Sequence, residues 1–63
     1  MKRGIIFYQT AVTSWEIFKG GRLVGSIEQY GDRYHVITPT RKEITSPGTT
    51  LDDIQRDILS VGL

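Results

Sequence analysis

The sequence contains no cysteine, one histidine and two prolines among 63 residues. Without cysteine no disulfide can form, and a single histidine cannot build a zinc site of histidine and cysteine ligands. Two common supports of small domains are therefore excluded, and we predict no metal, cofactor or small-molecule ligand. A lack of cysteine is also typical of a reducing compartment, so we expect a cytoplasmic protein.

Long hydrophobic runs are absent as well. The apolar block that follows the basic N-terminus, residues 5–8, is shorter than the apolar core of a signal peptide, which needs about 7 to 15 residues. No segment approaches the roughly 20 apolar residues of a membrane-spanning helix. The sequence therefore predicts neither a secretory leader nor contact with a membrane.

Charge of one sign is not in excess. Eight Lys and Arg face seven Asp and Glu, and the net charge of +1 is too small to indicate a polyanionic partner by itself. The distribution is uneven, because residues 1–42 hold seven basic and three acidic side chains, a balance of +4 (7 − 3). The remaining residues are net acidic.

The length of the chain leaves room for one hydrophobic core, so we expect residues 1–63 to form a single small α+β domain. The conformational entropy lost on folding nearly cancels the burial energy that so small a core provides. With disulfides and metals excluded, association with a partner protein or with a second copy is the remaining support. We therefore predict a protein partner, with a homodimer as one form of it.

Two turn signals divide residues 14–37 into three antiparallel strands. At Gly20-Gly21 we predict a three-residue loop over residues 19–21, with Gly21 in the left-handed conformation that glycine adopts without a steric penalty. This register places Trp15 opposite Gly25, so that the ring covers a residue without a side chain. A two-residue turn would place Trp15 opposite Ser26 and divide the aliphatic residues between both faces.

The second turn has Gly31 at its first central position, as a type II′ hairpin requires. It pairs Ile27 with Val36. Both turns agree on one inner face of the sheet. The predicted inner face consists of Trp15, Ile17, Leu23, Ile27, Tyr34 and Val36.

Two further segments add to this sheet. Residues 5–12 are rich in β-branched and aromatic side chains and predict a strand, although the sequence does not specify its pairing partner. Ile44 either begins a short extra strand or tucks under the sheet. We therefore expect a small antiparallel sheet of three to four strands.

The C-terminal segment predicts one helix over residues 51–61. Thr50 and Asp53 have the spacing of a shortened capping box, and acidic residues favour the positive end of the helix dipole. We predict that Gly62 ends the helix and that Leu63 folds back onto the last turn. An apolar stripe at helical spacing should pack on the inner face, and it consists of Leu51, Ile54, Ile58 and Val61.

The inventory of reactive side chains is too poor for an enzyme, and no catalytic residue is predicted. His35 lies opposite Glu28 in the predicted register, which is typical of an ordinary cross-strand pair. Asp52 and Asp53 are explained by the helix dipole, because no metal-binding loop accompanies them.

The functional signal is the outer face of the predicted sheet, where aromatic side chains alternate with basic ones. A protein interface, with a partner or a second copy, accounts for this mixture. The alternative is nucleic acid, since such sheets stack on bases and pair with phosphates. A third interpretation is that a second layer, such as the N-terminal strand, covers this face. The candidate binding residues, on the outer face and the hairpin tips, are Phe18, Lys19, Arg22, Val24, Tyr30, Arg33, His35, Arg41 and Lys42.

Overall fold

The computed structural model describes residues 4–61 as a five-stranded antiparallel sheet followed by one helix. The strands are neighbours in the order in which they occur in the chain. This is the predicted α+β class, with five strands rather than three to four. Within residues 4–61 no helix is long and apolar enough to cross a membrane. The elements are β1 (Ile5–Ala11), β2 (Ser14–Lys19), β3 (Arg22–Tyr30), β4 (Arg33–Thr38), β5 (Arg41–Ile44) and α1 (Leu51–Val61).

The partner of β1, which the sequence left open, is β2. A two-residue connection returns the chain directly beside β1, and Phe7 lies opposite Ile17 in the antiparallel pair. β1 is consequently one edge of the sheet. The interpretation in which the N-terminal strand forms a second layer over the outer face is therefore wrong.

The turn between β2 and β3 differs from the predicted three-residue loop. Gly20 and Gly21 have φ angles of 60° and 82°, and a type I′ turn requires positive φ at both central positions. Lys19 lies opposite Arg22, so the loop contains two residues rather than three.

A β-bulge then returns the following aliphatic residues of β3 to the inner face. With a two-residue turn alone, these residues would be divided between the two faces of the sheet. The register shifts after the first pairs of the hairpin, because Val24 is an extra residue in β3. Beyond this bulge Ile17 lies opposite Gly25 and Trp15 opposite Ile27. The predicted pairing of Trp15 with Gly25 is therefore wrong, although the prediction that Trp15 and Ile17 share a face with Ile27 is confirmed.

The hairpin between β3 and β4 has the predicted register. Ile27 lies opposite Val36, and Glu28 opposite His35. Gly31 has a φ of 64°, as the first central residue of a type II′ turn requires.

Helix α1 covers one face of the sheet, which we call the inner face, and the opposite face is the outer face. Trp15 is half-buried beside the hydrophobic core between the sheet and α1, with its ring centroid 6.1 Å from that of Tyr34. Leu23 does not belong to the core as predicted, because the two-residue turn places it opposite Phe18 on the outer face, and Val24 packs against the core instead. Among residues 4–61, six apolar residues are buried, namely Ile17, Ile27, Tyr34, Val36, Ile54 and Ile58.

Strand β5, which the sequence only suggested at Ile44, is fixed at both ends. The backbone N–H of Tyr34 donates to Thr45 Oγ1 over 3.0 Å, and the N–H of Thr45 donates to the Tyr34 carbonyl over 2.9 Å. Arg41, at the start of β5, donates from Nη2 to Asp57 Oδ2 on α1 over 2.8 Å. The helix is thus tied to the β5 side of the sheet.

The helix begins as predicted. The N–H of Asp53 donates to Thr50 Oγ1 over 3.1 Å, and the N–H of Thr50 donates to Asp53 Oδ2 over 3.2 Å, which is the reciprocal pattern of a capping box. Val61 is exposed rather than packed on the sheet, so the apolar stripe is shorter than expected. The predicted helix stop at Gly62 and the fold-back of Leu63 lie outside the described residues.

We expect Asp53→Asn to reduce stability in a pH-dependent way. Hydrogen bonds from the backbone N–H and then the hydroxyl of Thr50 lower the pKa of Asp53 in the folded chain. Its contribution is therefore present above the ordinary aspartate pKa of about 3.9, and it is lost as the pH falls through the lower folded value. In urea unfolding, the difference between the wild type and the variant should be largest near neutrality and vanish in acid. A difference that grows in acid would contradict this assignment.

Candidate binding surface

The outer face is open over the whole sheet in the part of the chain that the structure describes, because α1 packs on the inner face. Its side chains lie in rows that run across the strands. One row is apolar and joins Ile6, Phe18 and Leu23 on the first three strands. The next row runs from the β1 edge to the β5 edge and consists of Tyr8, Glu16, Ser26, Ile37 and Lys42.

The exposed apolar side chains are concentrated on this face. Nine large hydrophobic residues are exposed within residues 4–61, and six of them lie on the outer face. Single exposed apolar residues are normal, whereas neighbouring ones, such as Ile6 and Leu23 on either side of Phe18, are typical of a binding site. The six are Ile6, Tyr8, Leu23, Tyr30, Ile37 and Ile44.

A shallow apolar depression of about 340 Å³ lies near the β1 edge of this face. Ile6, Tyr8 and Phe18 form it together with Gly21 of the adjacent turn. Ile6 and Tyr8 are 59% and 60% exposed, so their apolar atoms are available to a partner. We call this site the apolar depression.

A polar cluster occupies the opposite part of the outer face. The Tyr30 hydroxyl donates to Glu28 Oε1 over 2.7 Å, and this carboxylate raises the pKa of Tyr30. The ring of His35 lies against that of Tyr30, with centroids 4.3 Å apart. The cluster fixes the orientation of an exposed tyrosine, which is a favourable anchor for protein contacts.

The predicted basic residues do not converge on one surface. Arg33 lies on the outer face as expected, and Lys42, which was predicted at a hairpin tip, lies there too, whereas Lys19 and Arg22 point to the other side. Arg41 also lies on the inner side, and its guanidinium is 2.8 Å from Asp57 and 3.5 Å from Glu43.

Two residues of the candidate set are consequently misplaced by the sequence prediction. The two-residue turn reverses the orientation of residues 22–24 relative to the predicted loop, so the expectation that Arg22 and Val24 lie on the outer face is wrong. Val24 packs against the core, and Leu23 takes the place beside Phe18. The candidates that do share the outer face are Phe18, Tyr30, Arg33, His35 and Lys42.

The formal charge of the outer face is balanced. Glu16 and Glu28 supply two negative charges, and Arg33 and Lys42 supply two positive ones. A surface that grips phosphates requires a clear positive excess. The arrangement therefore suits a protein surface of mixed charge better than a nucleic acid.

Sequence reasoning missed Ile6, Tyr8 and Leu23 as members of the surface. For β1 the signal was present, because residues at positions 6 and 8 alternate with residues at positions 5 and 7, which pack against the core. The signal could be used only with the pairing of β1 known. For Leu23 no local pattern indicates the bulge.

A second concavity, of about 360 Å³, lies between β5 and α1. Arg41, Glu43, Asp53 and Asp57 contribute its charged groups, and Arg41 already neutralises two of the carboxylates. Residues 4–61 contain no group of three or more histidine, cysteine, aspartate or glutamate side chains able to hold a metal ion. The outer face therefore remains the candidate binding surface.

Comparison with protein-family models, with curated proteins and with solved structures finds no match to this chain.

Proposed function

We propose that the chain is a non-enzymatic interaction module whose outer face binds a partner protein. The observation that carries the proposal is the apolar depression, together with its continuation along the apolar row to Leu23. An open face with aromatic anchors and a rim of both charge signs has the composition of a protein interface.

The partner contact is centred on the β1–β3 side of the outer face. Ile6, Phe18 and Leu23 form its apolar floor, and Tyr8 stands beside them. The polar cluster around Tyr30 lies in the rim, where its charges favour the correct orientation of the partner more than they add affinity. A partner with a complementary apolar ridge and a mixed-charge border fits this surface.

We expect Leu23→Asp to abolish partner binding while leaving the fold intact. Leu23 is 59% exposed, so the substitution removes little buried surface, but it places a charge in the apolar row. The matched control is Leu59→Asp on α1, where the leucine is 47% exposed and lies outside the outer face. Affinity capture from native extract with quantitative mass spectrometry should recover a protein with the wild type and with the control, but not with Leu23→Asp.

Two results would count against the proposal. If Leu23→Asp captured the same proteins as the wild type, the apolar row would not be the contact. If the captured material were nucleic acid, and its binding fell steeply between about 50 and 200 mM salt, phosphate contacts would dominate and the alternative function would hold instead.

A further inference from the structure

The two edges of the sheet are protected very differently. β5 is four residues long, and Arg41, Lys42 and Glu43 make up most of it. Short, charged edge strands of this kind resist pairing with another chain. β1 is seven residues long, IIFYQTA, and contains neither a charged side chain nor proline. The register of β1 shifts between Gln9 and Ala11, which confines its regular part to residues 5–9, and this part has the properties of an edge that pairs with a further strand.

The backbone groups of β1 that point away from β2 can be identified. The N–H of Gly20 donates to the Gly4 carbonyl over 3.2 Å, so Gly4 directs its backbone groups toward β2. In an antiparallel ladder this direction alternates from residue to residue. Ile5, Phe7 and Gln9 consequently present their N–H and C=O groups at the open edge.

We propose that a second copy of this chain occupies the edge, with the two β1 strands antiparallel and Phe7 on the twofold axis. In this register Phe7 faces Phe7 of the second copy, and Ile5 faces its Gln9. Every outward-directed N–H and C=O of residues 5, 7 and 9 then has a partner. If the pairing register were shifted by two residues, one of these three residues would lose its partner. If it were shifted by one residue, outward-directed groups of one copy would face residues of the other copy whose groups point toward β2.

The side chains are self-complementary in the same register. On the outer face, Ile6 of each copy lies beside Tyr8 of the other, which is a favourable aliphatic and aromatic pair. No like charges meet, because residues 5–11 are uncharged. Phe7 and Ile5 are only half-buried in one copy, so the pairing would cover apolar surface that α1 leaves partly open.

The position of the helix permits this pairing. α1 is bound to β5 through Arg41 and Asp57, at the opposite side of the sheet from β1. The paired copies form one continuous sheet, in which the two apolar depressions adjoin across the axis. The dimer shares Ile6 and Tyr8 with the outer-face contact, whereas Leu23 belongs to that contact alone and lies away from the β1 edge, so a change at Leu23 separates the two.

Because the sequence contains no cysteine, an introduced cysteine can form a disulfide between chains only with another introduced cysteine, and cross-linking therefore tests the register. Ile6→Cys and Tyr8→Cys alter exposed side chains, so both variants should fold. Mixed together and oxidised with oxidised glutathione, they should form a disulfide between one copy of each variant. Facing residues at these positions have Cα atoms about 4.5 Å apart, within the range that a disulfide spans.

Each variant oxidised alone should cross-link far more slowly. Identical positions 6 or 8 of the two copies are offset by two residues along the strands, which separates their Cα atoms by about 8 Å, beyond the reach of a disulfide. Mass spectrometry distinguishes the mixed product from the two uniform ones. Faster cross-linking of either variant with itself would overturn the register centred on Phe7.

Sedimentation velocity tests the dimer itself. The N–H of Gln9 points to the open edge, so Gln9→Pro removes a contact between copies while it spares the ladder between β1 and β2. The wild type and Leu23→Asp should sediment as dimers, and a folded Gln9→Pro should sediment as a monomer. A monomeric wild type from micromolar to millimolar concentration would overturn the proposal, as would a Gln9→Pro variant that remains dimeric. Loss of partner capture by Leu23→Asp with the dimer intact would separate this proposal from the proposed function.

Discussion

Ile58→Ala should lower the free energy of unfolding by about 3 to 4 kcal/mol, because it removes a fully buried side chain from a very small core. Ile58 has no exposed surface, and the part of the chain that the structure describes buries five other apolar residues around it. A truncation here costs the transfer free energy of the lost methyl groups, and the cavity that remains costs more, since neither the sheet nor the helix can close it alone.

The size of the chain makes this loss decisive. A domain of 63 residues is expected to have a total stability of about 3 to 9 kcal/mol. The variant would therefore keep a small fraction of its stability or unfold outright. Urea unfolding at a fixed protein concentration, followed by the fluorescence of Trp15, measures the difference, since this is the single tryptophan and it packs against the core.

The adjacent residue on the helix provides the control. Leu59 is 47% exposed, and Leu59→Ala should change stability by less than about 1 kcal/mol. Equal losses for both variants would mean that α1 does not present Ile58 to the sheet. A loss below about 1 kcal/mol for Ile58→Ala would mean that the inner face is not closed by the helix.

The parts of the fold that the sequence predicted correctly are those with a local physical cause. Helix α1 has the predicted bounds, because the Thr50 and Asp53 cap and the spacing of Ile54 and Ile58 both act within a few residues. The Gly31 turn has the predicted register because its hairpin has no bulge. In both cases short-range chemistry and side-chain alternation indicate the same structure.

The errors arose where two local features compensate for each other. Reasoning from alternation alone cannot distinguish a three-residue loop from a two-residue turn followed by a bulge, because both return Ile17 and Ile27 to one face. The choice nevertheless decides the surface, since it exchanges Arg22 for Leu23 beside Phe18. A predicted basic outer face thereby becomes a more apolar one.

The sequence does not predict the full extent of strand β5, for a different reason. Its residues show no apolar alternation, and its place in the sheet depends on long-range contacts such as the bond between Arg41 and Asp57 and the hydrogen bonds of Thr45 with Tyr34. Contacts between residues 11 or more positions apart leave no periodic signal in the sequence. The β1 pairing, on which the apolar depression depends, is more local, but Val12 and Thr13 at its turn are not residues that signal a hairpin.

Gly25→Ala should destabilise the domain by about 3 kcal/mol, a large effect for the addition of one methyl group. A Cβ at this position would overlap the carbonyl oxygen of Ile37, and it would lie 3.3 Å from the Cα of Thr38 and 3.4 Å from Cδ1 of Ile17. The first two atoms belong to the backbone of β4, which cannot yield as a flexible side chain would. The methyl group must therefore push β3 and β4 apart, at the cost of their hydrogen bonds.

The position of Gly25 in the sheet explains why one added methyl group has so large an effect on stability. It follows the bulged residue Val24 and lies opposite Ile17, where the backbone of β4 leaves no room for a Cβ. Ser26→Ala, one position further along the strand, is the control, because it removes an oxygen on the outer face without adding volume and should change stability by less than about 1 kcal/mol. Thermal unfolding followed by circular dichroism should show a melting temperature lowered by more than about 10 °C for Gly25→Ala and little change for Ser26→Ala. If Gly25→Ala melted at the same temperature as the wild type, the backbone of β4 would not lie as close to Gly25 as described, and the register that places Gly25 after a bulge at Val24 would be wrong with it.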